Sequence, residues 1–149
     1  MSLTRTLTKT RVAIHNDVDV VVAIQKGRML AQAHGFSTNE QYITVTAISE
    51  VAHNIINYAR CGEITLDIVE QGKRCAILIV ATDAGPGIPD VQQALKDGYS
   101  TGAGLGLGLS GARRLMDEFE IVSEVGKGTT VTMWKWRNDN NNRAKNSRS

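Results

Sequence analysis

Four groups of residues in this chain have the types and spacing to do chemistry. Glu50 and Asn54 fall one helical turn apart and Asn57 is nearly in line with them, so the 3.6-residue period puts a carboxylate and two carboxamides on one stripe. A carboxamide oxygen is a hard ligand suited to Mg²⁺, and a carboxylate one turn away can accept the proton of an attacking hydroxyl. The wet face of an amphipathic helix looks the same, because Ile48, Val51, Ala52, Ile55 and Ala59 gather on roughly the opposite side. His53 neighbours Glu50 and reads most simply as a surface histidine.

The second group is Asp83-Ala84-Gly85-Pro86-Gly87, placed where an apolar strand runs out. A carboxylate there can accept a hydrogen bond from an exocyclic amine while the glycines let a flat ring approach the backbone. The same five residues are also an ordinary turn sequence. Third is a glycine at every second position from Gly102 to Gly108, interleaved with Ala103, Leu105, Leu107 and Leu109. Bare amides leading into a helix start make a natural phosphate seat; the competing reading is a flexible hinge. Gly106-x-Gly108-x-x-Gly111 matches a dinucleotide fingerprint, but a polar loop precedes it where a buried strand is required, so that reading fails. Gly126-Lys127-Gly128-Thr129 opens a strand and lacks the earlier glycine of a P-loop, which leaves a hairpin turn. Thr129, the fourth candidate, either offers a hydroxyl to a neighbouring pocket or only favours the strand.

These groups must be held by a scaffold, and 149 residues with 42% hydrophobic content suffice for one domain with its own core. The longest apolar run, residues 75–81, is too short to span a bilayer. Two cysteines, Cys61 and Cys75, make no disulfide framework, and the first residues have no apolar signal segment, so a reducing cytoplasm is the expected location. Arg143, Lys145 and Arg148 against Asp139 hold the whole net charge of +2 in the tail 138–149, which is expected to be disordered. A body near neutrality lacks the basic footprint of a nucleic-acid binder. Glycine is uneven: 10 of 14 fall between Gly85 and Gly128, where backbone is needed more than side chains.

Alternation predicts a strand over 10–16, and Asp17 can cap a helix over 18–34 ended by Gly35. Ser37 and Glu40 have capping-box spacing for a second helix running to about residue 60. Residues 63–70 and 74–83 read as a hairpin, 84–105 as a long loop holding a short helix at 91–96, and 106–118 as a third helix. Residues 119–125 and 129–136 form a closing hairpin. This order predicts an α+β two-layer sandwich, a mixed and mostly antiparallel sheet with helices on one face.

Taken together, Glu50-x-x-x-Asn54, Asp83-x-Gly85-x-Gly87, the Gly-Leu run at 104–109 and Gly126-x-Gly128-Thr129 resemble, in order and separation, the boxes of the GHKL ATPase superfamily with its Bergerat ATP-binding fold. The resemblance covers about residues 11–136. Within that superfamily, 81–90 and 95–136 are most similar to the RsbT-like serine/threonine switch kinases of bacterial stressosomes. It implies a kinase domain at 10–137 in which Glu50 is the general base and Asn54 holds Mg²⁺. Asp83 would take the adenine amino group, with Gly85 and Gly87 beneath the ring and Thr129 nearby. Residues 90–103 would form a lid over ATP. Gly104, Leu105, Gly106, Leu107, Gly108 and Leu109 would supply amides to the phosphates, with Ser100 and Thr101 as further donors.

The implied partners are STAS-domain scaffold proteins, phosphorylated on Ser or Thr, and a PP2C-type phosphatase that the released kinase binds and activates; neither nucleic acid nor membrane is expected. Two departures stand out: Ile55 follows Asn54 where many relatives have alanine, and His53 is unusual beside the base. An alternative function is a nucleotide-gated anti-sigma or regulatory module acting by sequestration.

Overall fold

The computed structural model describes residues 4–96 and 108–139. Nine elements follow one another: β1 (Thr4–Ile14), α1 (Asp17–Ala33), α2 (Thr38–Ala59), β2 (Gly62–Gln71), β3 (Arg74–Asp83), α3 (Val91–Ala94), α4 (Gly108–Leu115), β4 (Glu118–Glu124) and β5 (Gly128–Trp136). The strands make one sheet in the order β1-β2-β3-β5-β4, with every pairing antiparallel. β5 therefore returns between β3 and β4, which brings Thr129 opposite Asp83.

Period-2 alternation explains which face is covered. Ile64, Leu66 and Ile68 of β2, Ile77 and Ile79 of β3, and Val131 and Met133 of β5 point to one side and are buried. Against them pack Val20, Ala23 and Ala31 of α1, Ile48, Val51, Ala52 and Ile55 of α2, and Leu109 and Ala112 of α4. Layered α+β architecture thus follows the sequence expectation.

The differences lie at element ends, and each has a local cause. β1 begins at Thr4 instead of residue 10, because Thr4, Thr6, Thr8 and Thr10 suit an extended chain that pairs along β2 without needing apolar partners. The α1 cap is Asn16, not Asp17. Asn16 accepts from the Asp19 amide at 3.2 Å, and Asp17 occupies the first turn, where a carboxylate meets the positive helix end. The Ser37 capping box forms as expected: Ser37 Oγ accepts from the Glu40 amide (3.1 Å) and Glu40 Oε1 from the Ser37 amide (2.8 Å). α4 is described over Gly108–Leu115 and ends at 115 instead of 118. Its end is set by Asp117, whose amide donates to the Trp134 carbonyl (3.0 Å) and whose Oδ2 accepts from the Trp136 amide (2.7 Å), so the chain has already joined β5.

The other face of the sheet is covered by no described element. Trp134 and Trp136 lie on it with ring centroids 5.8 Å apart and nearly parallel planes, and the Arg74 guanidinium sits 4.0 Å from the Trp136 ring.

Candidate functional site

Glu50 is 4% exposed although charged, and the fold gives it a specific neighbour: the Gly108 amide at the start of α4 donates to Glu50 Oε1 at 2.7 Å. The middle of α2 is thereby tied to the end of the glycine run, 58 residues further along the chain. Asn54, half-buried, follows one turn later, while Asn57 is exposed. The wet-face reading of this stripe therefore fits Asn57 but not Glu50. His53 is half-buried, and its Nδ1 lies 2.8 Å from the Ser49 carbonyl oxygen. A carbonyl can only accept, so Nδ1 carries the proton of that bond and the ring is held against its own helix.

Asp83 ends β3 in the ladder between Gly62 and Thr129. Its Oδ1 accepts from the Gly85 amide at 2.9 Å, an Asx-type turn that fixes the carboxylate at the sheet end. Gly85 has no room for a side chain: a Cβ there would lie 2.5 Å from the Ala59 Cβ and 2.8 Å from its Cα. Gly87, at φ +81°, presses against the Glu124 carbonyl. These glycines thus let the 84–87 turn settle between the last turn of α2 and the β4–β5 turn. The Pro86 carbonyl accepts the Gly126 amide there at 2.8 Å.

Thr129 is 5% exposed, and its Oγ1 is 2.7 Å from Ser123 Oγ. Ser123 also accepts from the Ile88 amide at 2.7 Å, so this β4 hydroxyl joins β5 to the loop after Asp83. Sequence reasoning missed Ser123, since a lone serine in a strand of alternating pattern gives no signal until its register with Thr129 is known. Gly108 takes φ +61° and Leu109 is buried in the core. Ser100, Thr101, Gly104, Leu105, Gly106 and Leu107 lie outside the described residues.

Two groups are therefore brought together: Glu50 of α2 with the start of α4, and Asp83 of β3 with Thr129 of β5, the 84–87 turn after Asp83 resting on the last turn of α2 at Ala59. A hydroxyl-bearing substrate placed beside Glu50 would meet a carboxylate held by a backbone amide. Asn54 and Glu50 are hard oxygen donors, and no cluster of three or more His, Cys, Asp or Glu occurs among the described residues. Such a donor set fits Mg²⁺, which takes one or two protein ligands and substrate phosphates, rather than a metal caged wholly by protein. A hollow of about 1260 Å³ lies at the opposite end of β3 beside Ser37, Glu40, Arg74, Trp136 and Arg137. Its charges largely answer one another, with Lys135 paired to Asp117 (3.4 Å) and Arg137 to Asp139 (2.6 Å), and it contains none of the residues above.

The chain is similar to known proteins in sequence and in fold. The family model described as histidine kinase-, DNA gyrase B-, and HSP90-like ATPase matches residues 39–139. The chain is similar to the serine/threonine-protein kinase RsbT of Bacillus subtilis (strain 168), with 46% identity over 84% of this chain and 94% of that protein. It is also 33% identical to the anti-sigma F factor of Thermoanaerobacter sp. (strain X514), over 61% of this chain and 66% of the relative. A crystal structure of RsbU and RsbW domains from Mycobacterium tuberculosis shares the fold at a TM-score of 0.58 and 17% identity, over 88% of this chain. This chain spans a third of that one. No described helix is long and apolar enough to cross a membrane.

Proposed function

Because the chain belongs to the histidine kinase-, DNA gyrase B- and HSP90-like ATPase family, we propose that it is a serine/threonine protein kinase whose phosphate donor is ATP. The observation that carries the reading is Glu50: a buried carboxylate, held by the Gly108 amide, on the stripe that also bears Asn54. The relative of 46% identity, itself named a serine/threonine-protein kinase, supports the reaction type.

In the proposed reaction Glu50 takes the proton of the acceptor hydroxyl as the hydroxyl oxygen bonds to the γ-phosphorus. The bond from that phosphorus to the β–γ bridging oxygen breaks, and ADP leaves. Asp83 accepts from the adenine amino group, with Gly85, Gly87 and Thr129 shaping the turn around the ring. The amides of Gly104, Leu105, Gly106, Leu107 and Leu109, with Ser100 and Thr101, serve the phosphates, whereas the Gly108 amide, expected among them, donates instead to Glu50. Asn54 would hold Mg²⁺, which when bound supplies charge neutralisation for the transferring group. Phosphoryl transfer asks little covalent chemistry of the protein, so one base and well-placed amides suffice.

The acceptors we propose are STAS-domain scaffold proteins, and the second partner, bound after release, is a PP2C-type phosphatase in a cytoplasmic partner-switching pathway. Both rest on the resemblance to RsbT-like kinases. A second reading, a nucleotide-gated anti-sigma or regulatory module, is favoured by the anti-sigma F factors among the relatives. Incubating the purified protein with Mg-ATP labelled on the γ-phosphate and a STAS-domain protein separates the two. Label on a Ser or Thr of the STAS protein is the expected result. No transfer, with partner affinity that still depends on ATP, would replace the kinase by the binding module.

A further inference from the structure

Gly62, Asp83, Thr129 and Ser123 stand in one straight row across β2, β3, β5 and β4. Directly paired residues of antiparallel strands put their side chains on one face, so Asp83, Thr129 and Ser123 share the face that the helices cover. The next row on that face, Ala81, Val131 and Ile121, is apolar and packs into the core. Three polar side chains thus end an apolar sheet face, and what they can bind depends on where their protons go.

A serine hydroxyl has one proton and two lone pairs. At Ser123 the Ile88 amide fills one lone pair, at 2.7 Å. The Gly128 carbonyl oxygen, 3.3 Å from Ser123 Oγ, can only accept, so it takes the proton. Thr129 Oγ1, at 2.7 Å, must then donate into the second lone pair. The opposite assignment, with Ser123 donating to Thr129, would leave the Gly128 carbonyl facing a bare oxygen. Thr129 therefore spends its only proton on Ser123 and has lone pairs alone to offer a ligand.

Asp83, its partner across the ladder, is in the same condition. Its Oδ1 accepts from the Gly85 amide, which leaves Oδ2 as an acceptor. Paired residues on one face have Cβ atoms about 4.5–5.5 Å apart. The two hydrogens of a planar amino group diverge by about 120°, so acceptors about 2.9 Å from the nitrogen stand about 5 Å from each other. Two acceptors at that spacing suit an exocyclic amine and oppose an exocyclic oxygen, whose lone pairs would meet theirs. From this proton count we propose that Ser123 is a positioning residue for base recognition: it holds Thr129 as a pure acceptor beside Asp83, so that the site takes an amino-substituted purine and rejects the oxo counterpart. The proposal rests on the ATP reading given above and adds the residue that enforces the choice of base.

Calorimetric titration of the full chain with Mg-ATP and with Mg-ITP tests it without any transfer reaction, since inosine triphosphate carries an exocyclic oxygen where ATP carries the amino group. Wild type is expected to bind ATP at least about tenfold more tightly than ITP. Ser123→Ala frees the Thr129 proton to donate to that oxygen and is expected to shrink the preference at least about fivefold. Ser123→Thr keeps the hydroxyl and is expected to keep the preference. A merely structural loss would weaken both nucleotides alike and leave their ratio unmoved. In a Thr129→Val background, Ser123→Ala is expected to change the ratio no further, because the hydroxyl through which Ser123 acts is gone. Should Ser123→Ala fail to fold, Ser123→Cys, similar in shape but a weak hydrogen-bonding group, carries the same expectation. Equal binding of ATP and ITP by wild type, a ratio that Ser123→Ala leaves intact, a loss as large in Ser123→Thr, or an undiminished effect in the Thr129→Val background each overturns the proposal and leaves the ATP site standing. A wild type that binds neither nucleotide overturns both.

Discussion

Single side chains show why the site needs the residues it has. Gly85 sits where any Cβ would overlap Ala59, and backbone on an α2 already packed by Ile55 cannot retreat cheaply. Gly85→Ala is expected to lower stability by about 1–3 kcal/mol and to weaken nucleotide binding, read by a thermal melt with and without Mg-ATP. Unaltered melting would contradict the packing described. Asp67, on the open face, is the reverse case of a residue that costs stability. Its Oδ1 is buried without a hydrogen-bond partner, and burial pushes its carboxyl above the usual range against the pull of Lys9, the Thr10 backbone and Arg11. A native pKa above the unfolded one means the folded state binds the extra proton, so stability falls as pH rises through the raised value. Asp67→Asn is therefore expected to melt no lower than wild type at pH 7, with any advantage closing as the pH drops towards about 4. A clear loss at pH 7 would show that the cations outweigh the burial. At this scale Glu50, Asn54, Asp83 and Thr129 stand out as candidates through the order and separation of the motifs that hold them, not through their types alone. The role of Ser123 was not legible, since it depends on a cross-strand register that a serine does not announce.

Elements position those side chains, and α2 does most of it. Its start is closed by the Ser37–Glu40 box, and Glu40 Oε2 also accepts from the Asn138 amide at 2.7 Å, fastening the chain after β5 to the same helix end. Ser37→Ala is expected to cost about 1 kcal/mol and Glu40→Ala more, because the latter leaves two amides, of Ser37 and Asn138, without their acceptor. Chemical denaturation of both variants checks the order, and equal losses would show that the Asn138 link contributes nothing. Capping spacing and the turn glycines made α2 and both hairpins legible from the chain alone. Element ends were less so. Asn16 outcompeted Asp17 for the α1 cap by one residue, and Asp117 left α4 for the β5 ladder, a tertiary preference with no local mark. The polar start of β1 hid a strand whose threonines extend along β2 without a hydrophobic stripe.

For the whole molecule, strand order matters most and was least readable. Local pattern yields two hairpins and a first strand, but not that β5 enters between β3 and β4, and that step brings Thr129 to Asp83. The same step sets the acidic β4 at one edge and the basic β1 at the other. Topology therefore sets both the Asp83–Thr129 pairing and the two edge strands of one sheet. The central claim is that this sheet end holds ATP while Glu50, from the long helix, takes the acceptor proton. Its most direct measurement is the single-turnover rate of phosphate transfer by Glu50→Gln at saturating Mg-ATP, with nucleotide affinity followed on the same protein. Glutamine keeps an oxygen for the Gly108 amide but cannot act as the base. A fall in rate of about 10²–10⁴-fold with affinity nearly unchanged is the predicted result. Transfer at close to the wild-type rate would contradict it.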